Sequence, residues 1–195
     1  MFYWLGKESA ERIQWSTNDK GDNIAYDGRS IIHLTPNEGD DPHSMIFTSC
    51  PIPRNLDTYY FEMSVVDQGD NAIIGIGLSN KEKDTRNGRM PGWDCGSIGY
   101  HGDDGGIYHA DGSAKYSCET YGSGDTVGCM LVRIRSEKGS YVVVYLTKNG
   151  SKLTPLIVLE DGDYHPCIGI GSKDAKVTTN LGATDFSYRY SGMDK

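Results

Sequence analysis

Basic residues are in deficit: 19 Lys and Arg stand against 27 Asp and Glu, a formal net charge of −8. That balance repels phosphate backbones and anionic headgroups, which argues against a general nucleic-acid or membrane-surface binder. Long apolar runs are missing. The longest, Tyr141 to Leu146, is far short of a membrane span. The start, Met1-Phe2-Tyr3-Trp4-Leu5-Gly6, lacks the basic region and apolar core of a signal peptide. Cysteine is sparse. Cys50, Cys95, Cys118, Cys129 and Cys167 are odd in number and widely spaced, with no C-x-x-C. They read as free thiols of a reducing compartment, mostly core filler, and place the chain in the cytoplasm, with the nucleus as the alternative. Helical periodicity is also lacking: Ser9–Gln14 and Lys81–Thr85 are the best candidates, a turn or two each.

What the 195 residues do hold is glycine, 25 of them, and 13 tyrosines, the composition of many turns and aromatic-rich strands. Strand signals recur every 8 to 15 residues between Gly, Asn, Asp or Pro. Tyr59 to Val66 alternates, with Phe61, Met63 and Val65 on one face and Glu62 and Ser64 on the other, which predicts a half-buried strand. Ile73 to Leu78 follows after a turn at Asp67–Asn71. Val127–Arg135 and Tyr141–Lys148 form a further pair. The second is apolar on both faces and is expected to be a central strand covered on both sides. It runs into Asn149-Gly150, the signal for a two-residue type I′ hairpin, and resumes at Ser151-Lys152-Leu153. Shorter strands are expected at 29–34, 44–49, 97–101, 164–171 and 175–181. The pattern is all-β, a single antiparallel sandwich without internal repeats.

Catalytic patterns come close and fail. Around Ser97 a nucleophile elbow needs Gly where Cys95 stands, and a papain-like motif needs a second Cys where Ile98 stands. His101 to His109 carries two histidines with Asp103 and Asp104, yet Gly105 and the distant Glu119 break a calcium-loop spacing. It reads as an Asp/Gly turn whose carboxylates accept backbone N–H bonds. Gly75-Ile76-Gly77 and Gly169-Ile170-Gly171-Ser172-Lys173 resemble fragments of phosphate loops without a helix to follow, and suit close backbone packing inside strands. No metal ligand set, cofactor site or catalytic constellation is expected. A thiol enzyme using Cys95 with His101 or His109 is a minor alternative, and it predicts an unusually reactive Cys95.

An ordered set of motifs then carries a resemblance. Tyr59-Tyr60-Phe61-Glu62, Gly75-Ile76-Gly77-Leu78, Met90-Pro91-Gly92-Trp93 and Gly99 to Gly105 are followed by Tyr121-Gly122, Gly124 to Cys129, Thr147-Lys148-Asn149-Gly150 and Tyr164-His165-Pro166. Over roughly residues 25 to 182 the chain resembles a SPRY domain, most similar to the Ran-binding protein M type. The resemblance implies a bent two-sheet β-sandwich with a short N-terminal extension: 1–24 the extension, 25–184 the domain, 185–195 a C-terminal tail. It implies a non-enzymatic module that recognises a short peptide or loop of a partner protein, and a monomer is expected. The module would serve as an adaptor in a larger assembly such as a ubiquitin ligase.

Carried over by position, the resemblance assigns Arg89, Pro91 and Trp93 on one loop, and Tyr100 and His101 on the next strand, to partner binding. Phe47–Pro53 and Ser172–Asp174 correspond to two further loops. An aromatic beside arginine is also the composition of a binding hot spot. The alternative for Trp93 is a cap on the sandwich, and for Tyr100 core packing. The stretch Arg133–Ser140 is read as a solvated hairpin tip. A sandwich that holds a sugar or nucleotide in the same loops is the alternative function.

Overall fold

Phe61, Met63 and Val65 share one face of a strand, β5 (Thr58–Asp67), and all three are buried in the main core, as the alternation predicts. The computed structural model describes residues 13–81, 86–137 and 139–189. Most of Ser9–Gln14 and Lys81–Thr85 lies outside them, and Gln14 and Lys81 belong to no regular element. Among the described residues there are fifteen strands and no helix, arranged as two antiparallel sheets.

The first sheet has seven strands. Its spatial order is β1 (Trp15–Lys20), β4 (Ser44–Thr48), β14 (His165–Ile170), β6 (Ile74–Ser79), β7 (Ser97–His101), β8 (Gly106–His109) and β9 (Ala114–Ser117). The second runs β12 (Ser151–Lys152), β11 (Gly139–Lys148), β10 (Thr126–Ser136), β5, β15 (Lys176–Asn180), β3 (Ser30–His33) and β2 (Ile24–Tyr26). Its eighth strand, β13 (Ile157–Glu160), pairs with β11 beside β12. Between the sheets, Val127, Cys129 and Leu131 of β10 and Val142, Val144 and Leu146 of β11 join the β5 residues in one cluster. Ile74, Ile76 and Leu78 of β6 and Ile168 and Ile170 of β14 belong to it as well. The hairpin has the expected register, Lys148 opposite Ser151, with Asn149 at φ 49 and Gly150 at φ 74.

Four readings change. The turn after His101 is confined to residues 102–105, because Gly106–His109 pairs with β7 as β8 and buries Ile107. β11 is flanked on both sides but only partly covered on its outer face, where Val143 is buried and Tyr141 is 40% exposed. Arg133 is no part of a solvated tip. Its side chain is 2% exposed, donates from Nη1 to Asp161 Oδ1 at 2.6 Å and to the Gly162 carbonyl at 3.1 Å, and leaves only residues beyond Arg135 as the tip. Glu62, on the polar face of β5, is buried as well. Asn180 accepts the Gly182 N–H and turns the chain outward. Phe186 and Tyr188 then pack on Tyr60, and the Ser187 N–H donates to the Glu62 carboxylate at 3.0 Å. Residues 15–24, assigned above to the extension, and 185–189, assigned to the tail, thus lie in or against the sheets.

Candidate functional site

The outer face of the seven-stranded sheet is floored by glycine. Its register aligns Met45, Gly169, Gly75 and His101 in one row and Phe47, Cys167, Gly77 and Gly99 in the next. The two rows leave a trough between the Met45/Phe47 wall and His101, and the connection from β6 to β7 lies in it. A Cβ on Gly169 would stand 2.5 Å from Pro91 Cδ and 2.8 Å from Met90 Sδ, and one on Gly99 would overlap the Pro91 carbonyl. Met90 and Pro91 are buried there. The paired Gly-x-Gly strands are therefore close-packing devices.

The strap is tied at several points. The Met45 N–H donates to the Arg86 carbonyl at 2.7 Å and the Gly88 N–H to the His43 carbonyl at 2.8 Å. Gly92 sits at φ 89, a left-handed conformation that favours glycine, and donates to Ser97 Oγ at 2.8 Å. His101 holds the strap from below through Nε2 and the Pro91 carbonyl, 2.8 Å apart, with its ring stacked on Tyr108 at 4.2 Å between centroids. Tyr108 in turn donates to Asp104, which also accepts the Gly106 N–H. Burial and the neighbouring Asp104 push the Tyr108 hydroxyl up to about 12. His101, Asp103 and Asp104 each bring one potential ligand atom within 4.8 Å of the others, but His101 Nε2 and Asp104 are engaged in holding the strap and the turn.

Of the residues expected to bind a partner, two reach the surface. Arg89 is exposed, with Nε 3.4 Å from Asp94 and Nη1 on the Gly88 carbonyl. Trp93 is half-buried, its ring centroid 5.0 Å from that of His43 and 6.2 Å from that of His101. Its Nε1 is buried without a hydrogen-bond partner. Pro91 and His101 are instead buried supports of the strap, and Tyr100 is a core residue at 0% exposure. The reason is period-two geometry: Tyr100 points inward with Ile98, packs on Tyr121 at 4.8 Å and donates its hydroxyl to the Glu119 carbonyl.

A second loop completes the site. His43, in the 34–43 connection, packs its ring at a tilt against Trp93 and brings Nδ1 to 2.7 Å from Asp41, whose carboxyl is held below the usual range chiefly by the His43 backbone N–H. Buried His33 ties this loop through Nε2 and the Pro42 carbonyl, 2.6 Å apart. Ser172–Asp174 lies alongside: Gly171 abuts the His43 ring, and Ser172 is buried, hydrogen-bonded to Gln68 and Asn71. Phe47–Pro53 does not join them. Phe47 is a buried β4 residue, and the Ser49 and Ile52 N–H groups bond to Gln14 and Tyr164 at the far end of that strand. His43 and Asp41 were missed from sequence. Their only signal is a His two residues after an Asp in a Pro-containing loop.

Comparison with known proteins agrees with the two-sheet architecture. The chain is 30% identical over 177 residues to a Ran-binding proteins 9/10 homolog of Drosophila melanogaster, covering 89% of this chain and 18% of that protein. It is 30% identical over 176 residues to Ran-binding protein 9 of Homo sapiens, covering 89% and 23%. The chain thus spans about a fifth of the length of these relatives. A crystal structure of a human SPRY domain superposes with a TM-score of 0.70 at 25% identity, over 84% of this chain and 98% of that one. The SPRY domain family model matches residues 58–184, from the first residue of β5 through the Trp93 strap to the turn after β15, and the chain belongs to that family.

Proposed function

We propose that this chain is a non-enzymatic protein-interaction module that recognises a short peptide or loop of a partner protein at the lip formed by Arg89, Trp93 and His43. The observation that carries this reading is Trp93 itself: a half-buried indole on an irregular loop, with an exposed guanidinium four residues before it, held on a floor that fixes its path. An immobilised aromatic beside arginine loses little entropy when a ligand docks on it, the usual composition of a binding hot spot. Asp94 lies beside the Arg89 guanidinium and Asp41 beside His43, so the lip suits a neutral or mixed-charge segment better than a polyanionic one. Motif-sized contacts of this kind give affinities of about −8 kcal/mol, in the micromolar range.

As a part of something longer, such a module would act as an adaptor in a larger assembly, and its net charge of −8 disfavours nucleic acid and anionic membranes as ligands. No helix among the described residues is long and apolar enough to cross a membrane. A cytoplasmic or nuclear setting suits five cysteines without a disulfide.

The test is peptide-library selection against the folded domain, followed by titration of the selected sequences against Trp93→Ala and Arg89→Ala. Loss of roughly 2 kcal/mol of binding for Trp93→Ala, with folding retained, supports the lip as the site. Peptides that bind both variants as well as the parent place recognition elsewhere, and a selection that enriches no sequence removes the peptide reading.

A further inference from the structure

The outer face of the eight-stranded sheet is capped by Phe186 and Tyr188, with Ser187 reaching the β11–β12 turn at Gly150, and among the described residues no further strand pairs along its β12–β13 margin. Of the six most exposed large apolar side chains among the described residues, three lie at that margin: Val158 at 55%, Leu156 at 46% and Tyr141 at 40%. The margin is β12 and β13, which pair with β11 on one side and, among the described residues, with no strand on the other. An open edge bearing exposed apolar side chains is a template for a further strand.

The register of β11 shows which strand fits. Glu160 stands opposite Tyr141, Val158 opposite Val143, Ile157 opposite Val144 and Lys152 opposite Thr147. Tyr141 and Thr147 are equidistant from Val144. A two-fold axis normal to the sheet, running between Ile157 and its copy, therefore lays the margin antiparallel beside a second copy of itself. Glu160 of each copy then faces Lys152 of the other, with exposed Val158 next to the axis. Val158 and Glu160 are exposed while Ile157 and Leu159 face the core, and Lys152 Nζ lies 3.5 Å above the ring of Tyr145, a residue of the outer face. The margin is thus complementary to itself in charge and in apolar pattern, the requirement for a closed two-fold contact.

We propose that the β12–β13 margin is the docking surface for a second copy of this chain, joining two eight-stranded sheets edge to edge. This surface is separate from the Arg89–Trp93 lip, which belongs to the other sheet, and does not depend on what that lip binds.

Sedimentation analysis over a range of concentrations tests it, in about 0.15 M salt so that the repulsion between two negatively charged copies is screened. The expected result is a monomer–dimer equilibrium. Glu160→Lys and Lys152→Glu should each weaken the dimer at least about tenfold by setting like charges face to face, and the double swap should restore it. All these side chains are exposed, so thermal midpoints close to that of the parent confirm that folding is intact. A parent chain that stays monomeric at every concentration overturns the proposal. So does a dimer indifferent to the single swaps, or one that the double swap fails to restore. A monomer whose β13 amides shift on adding an extended apolar peptide would assign the margin to a foreign strand and overturn it equally.

Discussion

His101 and Pro91 are joined from beneath the binding strap: the imidazole Nε2 lies 2.8 Å from the proline carbonyl. A carbonyl can only accept, so Nε2 carries the proton, and burial, which lowers the imidazole pKa, favours the neutral ring. His33 repeats the arrangement under the neighbouring loop with the Pro42 carbonyl, and its Nδ1 is buried with no partner. Two buried histidines thus latch the two loops that meet at Trp93.

Burial pulls both imidazoles below the ordinary value of 6.5. The unfolded chain takes up protons near 6.5 that the folded chain refuses, so stability is complete above that pH and is lost as pH falls through the lower folded values. Urea unfolding at a series of pH values should show this decline. The His33→Gln, His101→Gln double variant should flatten it. It should not abolish it, because His109 and His165 are shifted in the same direction, also by burial. An unchanged slope would mean that the latches do not titrate.

The glycine floor predicts steric sensitivity. Gly169→Ala forces Pro91 and Met90 upward and should cost about 1–3 kcal/mol in chemical denaturation, the usual range for overpacking. Gly99→Ala, which meets backbone instead of flexible side chain, should cost more. Equal stability of both variants with the parent would show that the strap is free to rise.

Trp93→Phe removes a buried N–H that has no acceptor, so stability should hold or rise by about 1 kcal/mol. Selected peptides should nonetheless bind the variant less tightly if the bound ligand supplies the missing acceptor. Calorimetry of folding and of peptide binding on one preparation separates the two effects.

Arg133 offers a contrast between charge and volume. Arg133→Ala leaves a cavity and removes the partner of Asp161 Oδ1, and should cost about 3 kcal/mol, the low end for a broken buried pair because Asp161 is partly exposed and keeps Arg54 and Ser140 on Oδ2. Arg133→Met keeps most of the volume and should cost appreciably less. Denaturant midpoints of the two variants check the order.

Phe186→Ala should lower stability by about 2 kcal/mol, less than a fully buried Phe because this ring is half-exposed, by uncovering Tyr60 and the buried Glu62. The family match ends at Thr184, so a domain trimmed there should lose at least as much. Melting curves of the full and trimmed chains measure it.

Much of this architecture was legible in the sequence where side chains alternate against a single covering layer. β5, β10 and the Asn149-Gly150 hairpin appear there nearly residue for residue. β9 was not legible, because all four of its residues are exposed and only pairing with β8 makes it a strand. β13 was hidden by Val158, an apolar residue on its outer side that blurs the alternation. In the candidate site, Arg89 and Trp93 lie on the surface as the Pro-Gly-Trp motif suggested. Tyr100 and His101 were misplaced because a surface role was carried over to a strand without asking which face each residue takes, or what lies over that face.

The glycine trough also divides labour along the strap. The backbone path from Gly88 to Gly92 is set by the floor beneath it, by His101 and by the Ser97 hydroxyl, none of which a ligand needs to touch. The side chain of Arg89 adds only its own bond to the Gly88 carbonyl, and that of Trp93 donates no hydrogen bond to the path. Those two positions can therefore be randomised as a library on a fixed frame, so that specificity is re-selected while the sandwich that displays it stays the same.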